Sequence, residues 1–137
     1  MEMDAYRHLK ERRITLFEFG WFVGLLEGEA SFQFNPRTQR VQLRMTDFEI
    51  VEKSALFIDK LIGTKLGIHT YDTAAVYNNP MFGEQYQWVI SGENARIVMK
   101  LIVPFMGKRR RAQIWRALNK VKNVRLTKDF YKRLGIK

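Results

Sequence analysis

A run of apolar residues from position 16 to position 28 constrains the fold most, because only Glu18 and Glu27 interrupt it with charge. Such a segment predicts a helix, over about 16–29, that is buried on most sides. Gly24 and Gly28 lie four residues apart and share one helix face, where a second helix can approach closely. Glycine inside a helix costs about 1 kcal/mol relative to alanine, so this pair needs a packing reason.

Hydrophobic periodicity predicts strands and further helices after this first helix. Alternating residues at 31–35 and 40–45 indicate a hairpin, and Thr46 and Glu49 match a capping box for a helix that ends at Gly63. A second strand pair, at 67–71 and 85–90, leads to a helix capped by Ser91. Basic helices follow at about 108–134, with residues 108–121 in the first and Thr127 capping the last. We therefore predict one α+β domain over residues 1–137, with one antiparallel sheet.

Composition excludes several classes of site and of protein. The 137 residues include no Cys and only two His, which rules out disulfides, thiolate zinc sites and cysteine nucleophiles. No apolar run reaches the roughly 18 residues of a membrane span, and the charged first 13 residues do not resemble a signal peptide. We expect an intracellular domain, neither secreted nor inserted in a membrane.

Positive charge is concentrated at one end of the chain. Residues 1–95 carry 10 basic and 13 acidic side chains, whereas residues 96–137 carry 14 basic side chains and 1 acidic one. This asymmetry indicates a polyanionic partner, either nucleic acid or an anionic membrane surface. The membrane is disfavoured because the basic segment lacks a broad apolar face. A merely solvated basic helix face is the plain alternative.

The predicted sheet has one face rich in amide and guanidinium groups. Those side chains pair bidentately with adenine and guanine edges in the major groove. A polar face is also what simple solvation of an antiparallel sheet produces, so both interpretations stay open. We name as the polar sheet face Gln33, Asn35, Arg40, Gln42, Arg44 and Gln87.

Glu29 stands at the predicted C-terminal end of the first helix. The helix dipole disfavours a carboxylate there, unless a cation binds beside it. An ordinary exposed terminal glutamate is the alternative interpretation.

These segments together resemble the single-motif LAGLIDADG homing endonucleases. The similarity lies in the stretch Gly-Trp-Phe-Val-Gly-Leu-Leu-Glu-Gly-Glu-Ala-Ser-Phe at 20–32, and it continues at 87–92 and in the proline-aromatic turn and basic helix start at 103–112. Ala30 stands where the family usually has glycine, and Glu29 where some members have aspartate. The resemblance implies an α-β-β-α-β-β-α fold whose polar sheet face forms a DNA-binding saddle.

The resemblance also implies a homodimer that binds Mg²⁺ or Mn²⁺. Two motif helices would pair through Phe22, Gly24, Leu25 and Gly28. Glu29 and the Gly28 carbonyl would hold the metal, with Lys108 near the scissile phosphate and Asp47 beside the attacking water. DNA contacts would come from the polar sheet face and from Arg37, Arg109, Arg110 and Arg111.

The implied function is a site-specific double-strand DNA endonuclease that cuts a long pseudo-palindromic site. The alternative is a catalytically inactive nucleic-acid binder, such as an intron RNA maturase or a repressor. Glu29 favours the nuclease, because a pure binder does not need clustered carboxylates facing phosphate. A basic structural protein is disfavoured by the polar sheet face.

Overall fold

From Leu16 onward, helices and strands follow in the order expected from the periodicity, whereas a short first helix, at Ala5–Glu11, was not predicted. The computed structural model describes residues 4–35, 37–72 and 83–121. It confirms an α+β fold with one antiparallel sheet. The elements are α1 (Ala5–Glu11), α2 (Leu16–Glu29), β1 (Ala30–Phe34), β2 (Gln39–Met45), α3 (Phe48–Ile62), β3 (His69–Asp72), β4 (Glu84–Ser91), α4 (Gly92–Ile102), a 3₁₀ turn (Val103–Phe105) and α5 (Lys108–Leu118).

The four strands form two hairpins joined through their second strands. The order across the sheet is β1-β2-β4-β3, and every neighbouring pair is antiparallel. Leu43 pairs with both Ala30 and Trp88, so its register fixes one face of three strands at once. Because side chains alternate along a strand, that face turns uniformly toward the helices.

The helix-facing side of the sheet carries the hydrophobic core. Val41, Leu43 and Trp88 have no exposed surface, and Phe32 and Ile90 are nearly as well buried. Helix α2 contributes its inner residues Phe19, Phe22, Val23 and Leu26. The Phe22 ring lies 4.8 Å from the Phe57 ring of α3, centroid to centroid, so the two helices meet over the sheet.

The start of α3 differs from the prediction by one residue. Asp47, rather than Thr46, is the N-cap, and its carboxylate accepts a hydrogen bond from the Ile50 amide at 3.3 Å. An anionic cap also interacts favourably with the helix dipole, which a hydroxyl cannot do. The predicted end is confirmed: Gly63 has φ +70°, a left-handed conformation that glycine adopts without strain. Ser91 precedes α4 as predicted but makes no capping hydrogen bond with its side chain.

Helix α5 is shorter than the predicted 108–121. It ends at Leu118, where Lys120 turns left-handed with φ +61° and its amide bonds to the Ala117 carbonyl. The Val121 amide bonds to the Arg116 carbonyl, which completes a Schellman closure and leaves Val121 exposed instead of buried. The predicted helix capped by Thr127 lies outside the described residues. Among the described helices, none has the length and apolar character needed to cross a membrane.

We predict that the core depends on a hydrogen bond from the fully buried Trp88. Its indole Nε1 donates to Ser54 Oγ at 2.8 Å, so Ser54→Ala leaves a buried donor unpaired. We expect the free energy of unfolding to fall by about 1–3 kcal/mol in urea titrations. The control, Ser91→Ala, removes a hydroxyl that caps no amide, and should change stability by less than about 0.5 kcal/mol. Equal effects of the two substitutions would contradict the assignment.

Candidate functional site

The strand register brings the polar residues of the sheet together on one face. Gln33 lies opposite Arg40, and Arg44 lies opposite Gln87, so these side chains share the face turned away from the core. Gln42 lies between the two arginines on β2. The predicted polar sheet face therefore exists over three strands, and β3 adds His69, which pairs with Gln87.

Gln87 was predicted to be exposed on the polar sheet face, but its side chain is buried. Only 4% of its surface is accessible, because its amide is held between two neighbours on the same face. Its Oε1 accepts from Arg44 Nε at 3.0 Å, and its Nε2 donates to the Tyr71 hydroxyl at 3.1 Å. Its hydrogen-bonding groups are engaged within the sheet, which differs from the direct base contact expected of Gln87.

The tip of the first hairpin extends this face. The Asn35 amide donates to the Thr38 carbonyl and closes the turn, and both Asn35 and Arg37 are exposed. Gln39, which sequence reasoning missed, points to the other side. It is 2% exposed, donates to the Ala117 carbonyl and accepts from Arg96, so it joins the sheet to α4 and α5. Strand alternation from Val41 would have placed it on the core side.

Glu29 and Gly28 form the exposed end of α2. Both are accessible, and β1 begins immediately afterwards at the buried Ala30, whose amide donates to the Leu26 carbonyl. Because Ala30 pairs with Leu43, Glu29 lies beside the end of the sheet at which β1 begins and β2 leads into α3. Asp47, the N-cap of α3, is at this same end, with one carboxylate oxygen engaged by the Ile50 amide.

Helix α5 is attached to this end of α2 by two hydrogen bonds. The Gly107 amide donates to Glu27 Oε1 at 3.1 Å, and Arg110 Nε donates to the Glu27 carbonyl at 2.8 Å. That carbonyl belongs to the last turn of α2, where no helical amide satisfies it. The start of the basic helix is therefore fixed beside the carboxylate-bearing end of α2.

Arg110 is largely buried and joins α5 to α2, which differs from the exposed DNA contact expected of it. It is 8% exposed, its Nη1 donates to Gln113 Oε1 at 2.9 Å, and its guanidinium lies 5.8 Å from the Phe32 ring centroid. Burial lowers the pKa of Arg110, as does the charge of Arg109, whereas the carboxylates of Glu27 and Glu29 oppose that shift. An arginine side chain remains charged after such a shift.

The other basic residues of this helix start are more accessible. Lys108 and Arg109 are exposed in the first turn of α5, and Arg111 is half-buried, with an Nε that has no partner among the described residues. The structure thus brings Lys108 and Arg109 to the same end of the molecule as Glu29.

The oxygen donors at the end of α2 suit a hard cation. Glu29 offers a carboxylate and Gly28 a backbone carbonyl, which are ligand types that Mg²⁺ and Mn²⁺ accept. Within the described part of the chain, no group of three or more His, Cys, Asp or Glu residues is placed to hold a metal. A cation held by Glu29 and Gly28 would take its remaining ligands from water, from phosphate oxygens or from a second chain.

The outer face of α2 is apolar and uncovered within the described residues. Phe17 is 87% exposed, and a Cβ added at Gly20, Gly24 or Gly28 would meet no atom within 4 Å. Phe22 lies on the opposite side with no exposed surface, so its predicted role in a dimer interface is wrong. Leu25 is half-buried between the two faces.

Comparison with known proteins adds no relative. No family model matches this chain, and no curated protein matches it either. The resemblance to LAGLIDADG endonucleases therefore rests on the sequence motifs alone.

We predict that Arg110 contributes to stability, whereas its neighbour Arg109 does not. Arg110→Met removes the donor to the Glu27 carbonyl, and should lower the free energy of unfolding by about 1–3 kcal/mol. Arg109→Met removes one exposed charge from the same turn and should change it by less than about 0.5 kcal/mol. Chemical denaturation of both variants at matched salt would test this, and a stable Arg110→Met variant would contradict it.

Proposed function

We propose that this protein is a site-specific DNA endonuclease of the LAGLIDADG type that acts as a homodimer. The observation that carries the proposal is the attachment of α5 to the end of α2 through Glu27. It gathers an exposed carboxylate, Glu29, and exposed basic residues at one edge of a sheet face rich in arginine and glutamine. Phosphate-binding, base-reading and metal-binding groups thus share one surface.

The charges and donors of this surface suit double-stranded DNA. Lys108 and Arg109 are placed to contact phosphates, whose neutralisation supplies most of the affinity of such complexes. Arg40, Gln42 and Arg44 present the guanidinium and amide groups that recognise base edges in the major groove. A two-stranded ribbon fits that groove, which gives the β1–β2 hairpin a direct role.

The uncovered face of α2 supports pairing with a second copy of the chain. Helix α2 is apolar around most of its circumference, yet within the described residues only Phe19, Phe22, Val23 and Leu26 are buried. In the proposed dimer, Gly24 and Gly28 allow the two backbones to approach closely. A twofold axis between the helices places two Glu29 carboxylates near each other, one from each chain.

In this proposal, two Glu29 carboxylates and the Gly28 carbonyls would hold the divalent cations. A bound Mg²⁺ supplies an activated water and stabilises charge on the leaving oxygen of a phosphodiester. Lys108, at the start of α5, would neutralise charge that develops on the scissile phosphate. Arg110 would hold the end of α2, so that Glu29 keeps its position when neighbouring anions approach.

We predict that Glu29→Gln abolishes cleavage while leaving DNA binding intact. The substitution keeps the size of the side chain but removes two negative charges from the dimer, and metal affinity depends on those charges. The rate with Mg²⁺ should fall about 100-fold or more. DNA affinity should stay the same or rise, because anions near the phosphates are lost. Both quantities can be measured on a duplex recovered from a cut randomised library.

Glu27→Gln is the matched control for that experiment. Glutamine keeps an acceptor oxygen for the Gly107 amide but loses the negative charge that strengthens this hydrogen bond, so the substitution should reduce stability rather than the rate of the chemical step. Cleavage at the parent rate by the Glu29→Gln variant would contradict the metal-carboxylate mechanism. A parent protein that binds nucleic acid but cuts no duplex would instead favour the maturase or repressor.

We predict that Gly24→Leu prevents dimerisation. No atom of the residues that the structure describes lies within 4 Å of a Cβ added at Gly24, so a bulky residue should be tolerated by an isolated subunit. Across the proposed interface it would separate the paired helices and yield monomers or insoluble protein. Sedimentation of the variant, beside Glu52→Leu on the exposed side of α3 as a control, tests this. A Gly24→Leu variant that sediments as a normal dimer would place the interface elsewhere.

A further inference from the structure

We infer that Arg44 recognises a guanine in each half of the DNA site, and that Gln87 and Tyr71 act as positioning residues that hold Arg44 ready for it. The inference rests on the proposed function and specifies which base one part of the polar sheet face selects. It starts from a cluster that the sequence did not reveal, in which a buried amide joins an arginine to a tyrosine.

Two contacts hold the Arg44 guanidinium, and a third joins the two residues that make them. The Nε of Arg44 donates to Gln87 Oε1 at 3.0 Å, and its Cζ lies 4.5 Å from the centre of the Tyr71 ring. Gln87 is itself held by donating to the Tyr71 hydroxyl at 3.1 Å. An arginine usually loses side-chain entropy when it binds, and a guanidinium held in this way has already lost part of it.

The atoms that remain available define the ligand. Arg44 is exposed, and neither of its terminal nitrogens forms a hydrogen bond within the described residues. Two parallel donors in one plane match the O6 and N7 acceptors of guanine. Adenine has an amino donor at N6 where guanine has the acceptor O6. That donor would face an N–H of the guanidinium, and no hydrogen bond could form between them. Cytosine presents a donor and thymine only one acceptor, which leaves guanine as the base that uses both nitrogens.

The position of Arg44 along β2 locates the guanine in the half-site. Arg44 lies at the edge of the sheet where α2 ends, whereas Arg40 lies toward the hairpin tip. Four residues of an antiparallel strand span roughly 14 Å, which is about four base pairs at 3.4 Å each. With β2 along the groove and the twofold axis at α2, Arg44 reads the inner position and Arg40 a position about four base pairs farther out.

Binding selections with a randomised duplex library test this assignment. The full-length protein and its variants are incubated with the library in EDTA, so that nothing is cut, and the bound duplexes are sequenced. For the parent we expect an inner guanine that is preferred by about 5- to 150-fold. Arg44→Lys keeps the charge but loses the paired donors, and should reduce that preference to less than about 2-fold.

The remaining variants separate positioning from contact. Gln87→Leu should weaken the guanine preference less than Arg44→Lys does, at the same position. Tyr71→Phe removes only the acceptor hydroxyl and should act in the same direction, which keeps the test valid if Gln87→Leu does not fold. Arg40→Lys is the matched control: it should leave the inner guanine unchanged and alter a position about four base pairs outward.

Each other outcome overturns the inference. An unchanged inner preference in Arg44→Lys would show that Arg44 does not read that base. A uniform loss of affinity for all sequences would assign Arg44 to a phosphate. In both cases the parent would still bind a specific site, so the proposed function would stand. A parent without any sequence preference would overturn the proposed function together with this inference.

Discussion

The attachment of α5 to the last turn of α2 is the contact on which the candidate site depends. A helix C-terminus carries partial negative charge and unsatisfied carbonyls, and here two glutamates increase that negative charge. Arg110 satisfies one of these carbonyls, because it donates to the Glu27 carbonyl. It also compensates the negative charge, because its guanidinium lies near Glu27 and Glu29. The Gly107 amide binds the Glu27 carboxylate from the same segment. This contact ties the exposed carboxylate to the basic helix start, and the hydrogen bond from Gln39 to the Ala117 carbonyl holds the other end of α5 against the sheet.

Residues of the same type have a structural role at some positions and are available to bind DNA at others. Arg110 lies inside and holds two elements together, whereas Arg109, its neighbour, lies outside where a phosphate can reach it. Glutamines divide in the same way, since Gln87 is buried in a hydrogen-bonded cluster and Gln42 remains accessible on the same sheet face. A buried polar group must be satisfied within the protein, so these supporting residues have little capacity left for a ligand. Exposed neighbours keep that capacity, and they carry the proposed recognition of DNA.

Helix α2 has apolar residues on two faces, one packed in the core and one uncovered by the described residues. Its inner residues, Phe22 and Leu26, complete the core over the sheet, and the Phe22 ring meets Phe57 of α3. Its outer face, with Phe17 and the glycines, is left uncovered by the described part of the chain. A second copy of α2 would bury this face and would bring the Glu29 carboxylates together. The proposed homodimer would then explain both the uncovered apolar face of α2 and the presence of a single Glu29 carboxylate at the proposed metal site of each chain.

The sequence by itself determined the order and type of the elements from α2 to α5, although not α1, because periodicity, glycine and turn residues act locally. The hairpin around residues 36–38 and the end of α3 at Gly63 follow from neighbours in the chain. Even so, Asp47 replaced Thr46 as the cap, since two adjacent residues could each serve and only the path of the chain after β2 selects one. The sequence also placed Glu29 at the end of the first helix. Tertiary structure alone decided that Arg110 meets a carbonyl 83 residues away, that Gln87 is buried, and that Phe22 faces inward. Each of these facts depends on which residue, distant in the sequence, packs against a side chain or hydrogen-bonds to it. Local sequence patterns do not specify such contacts.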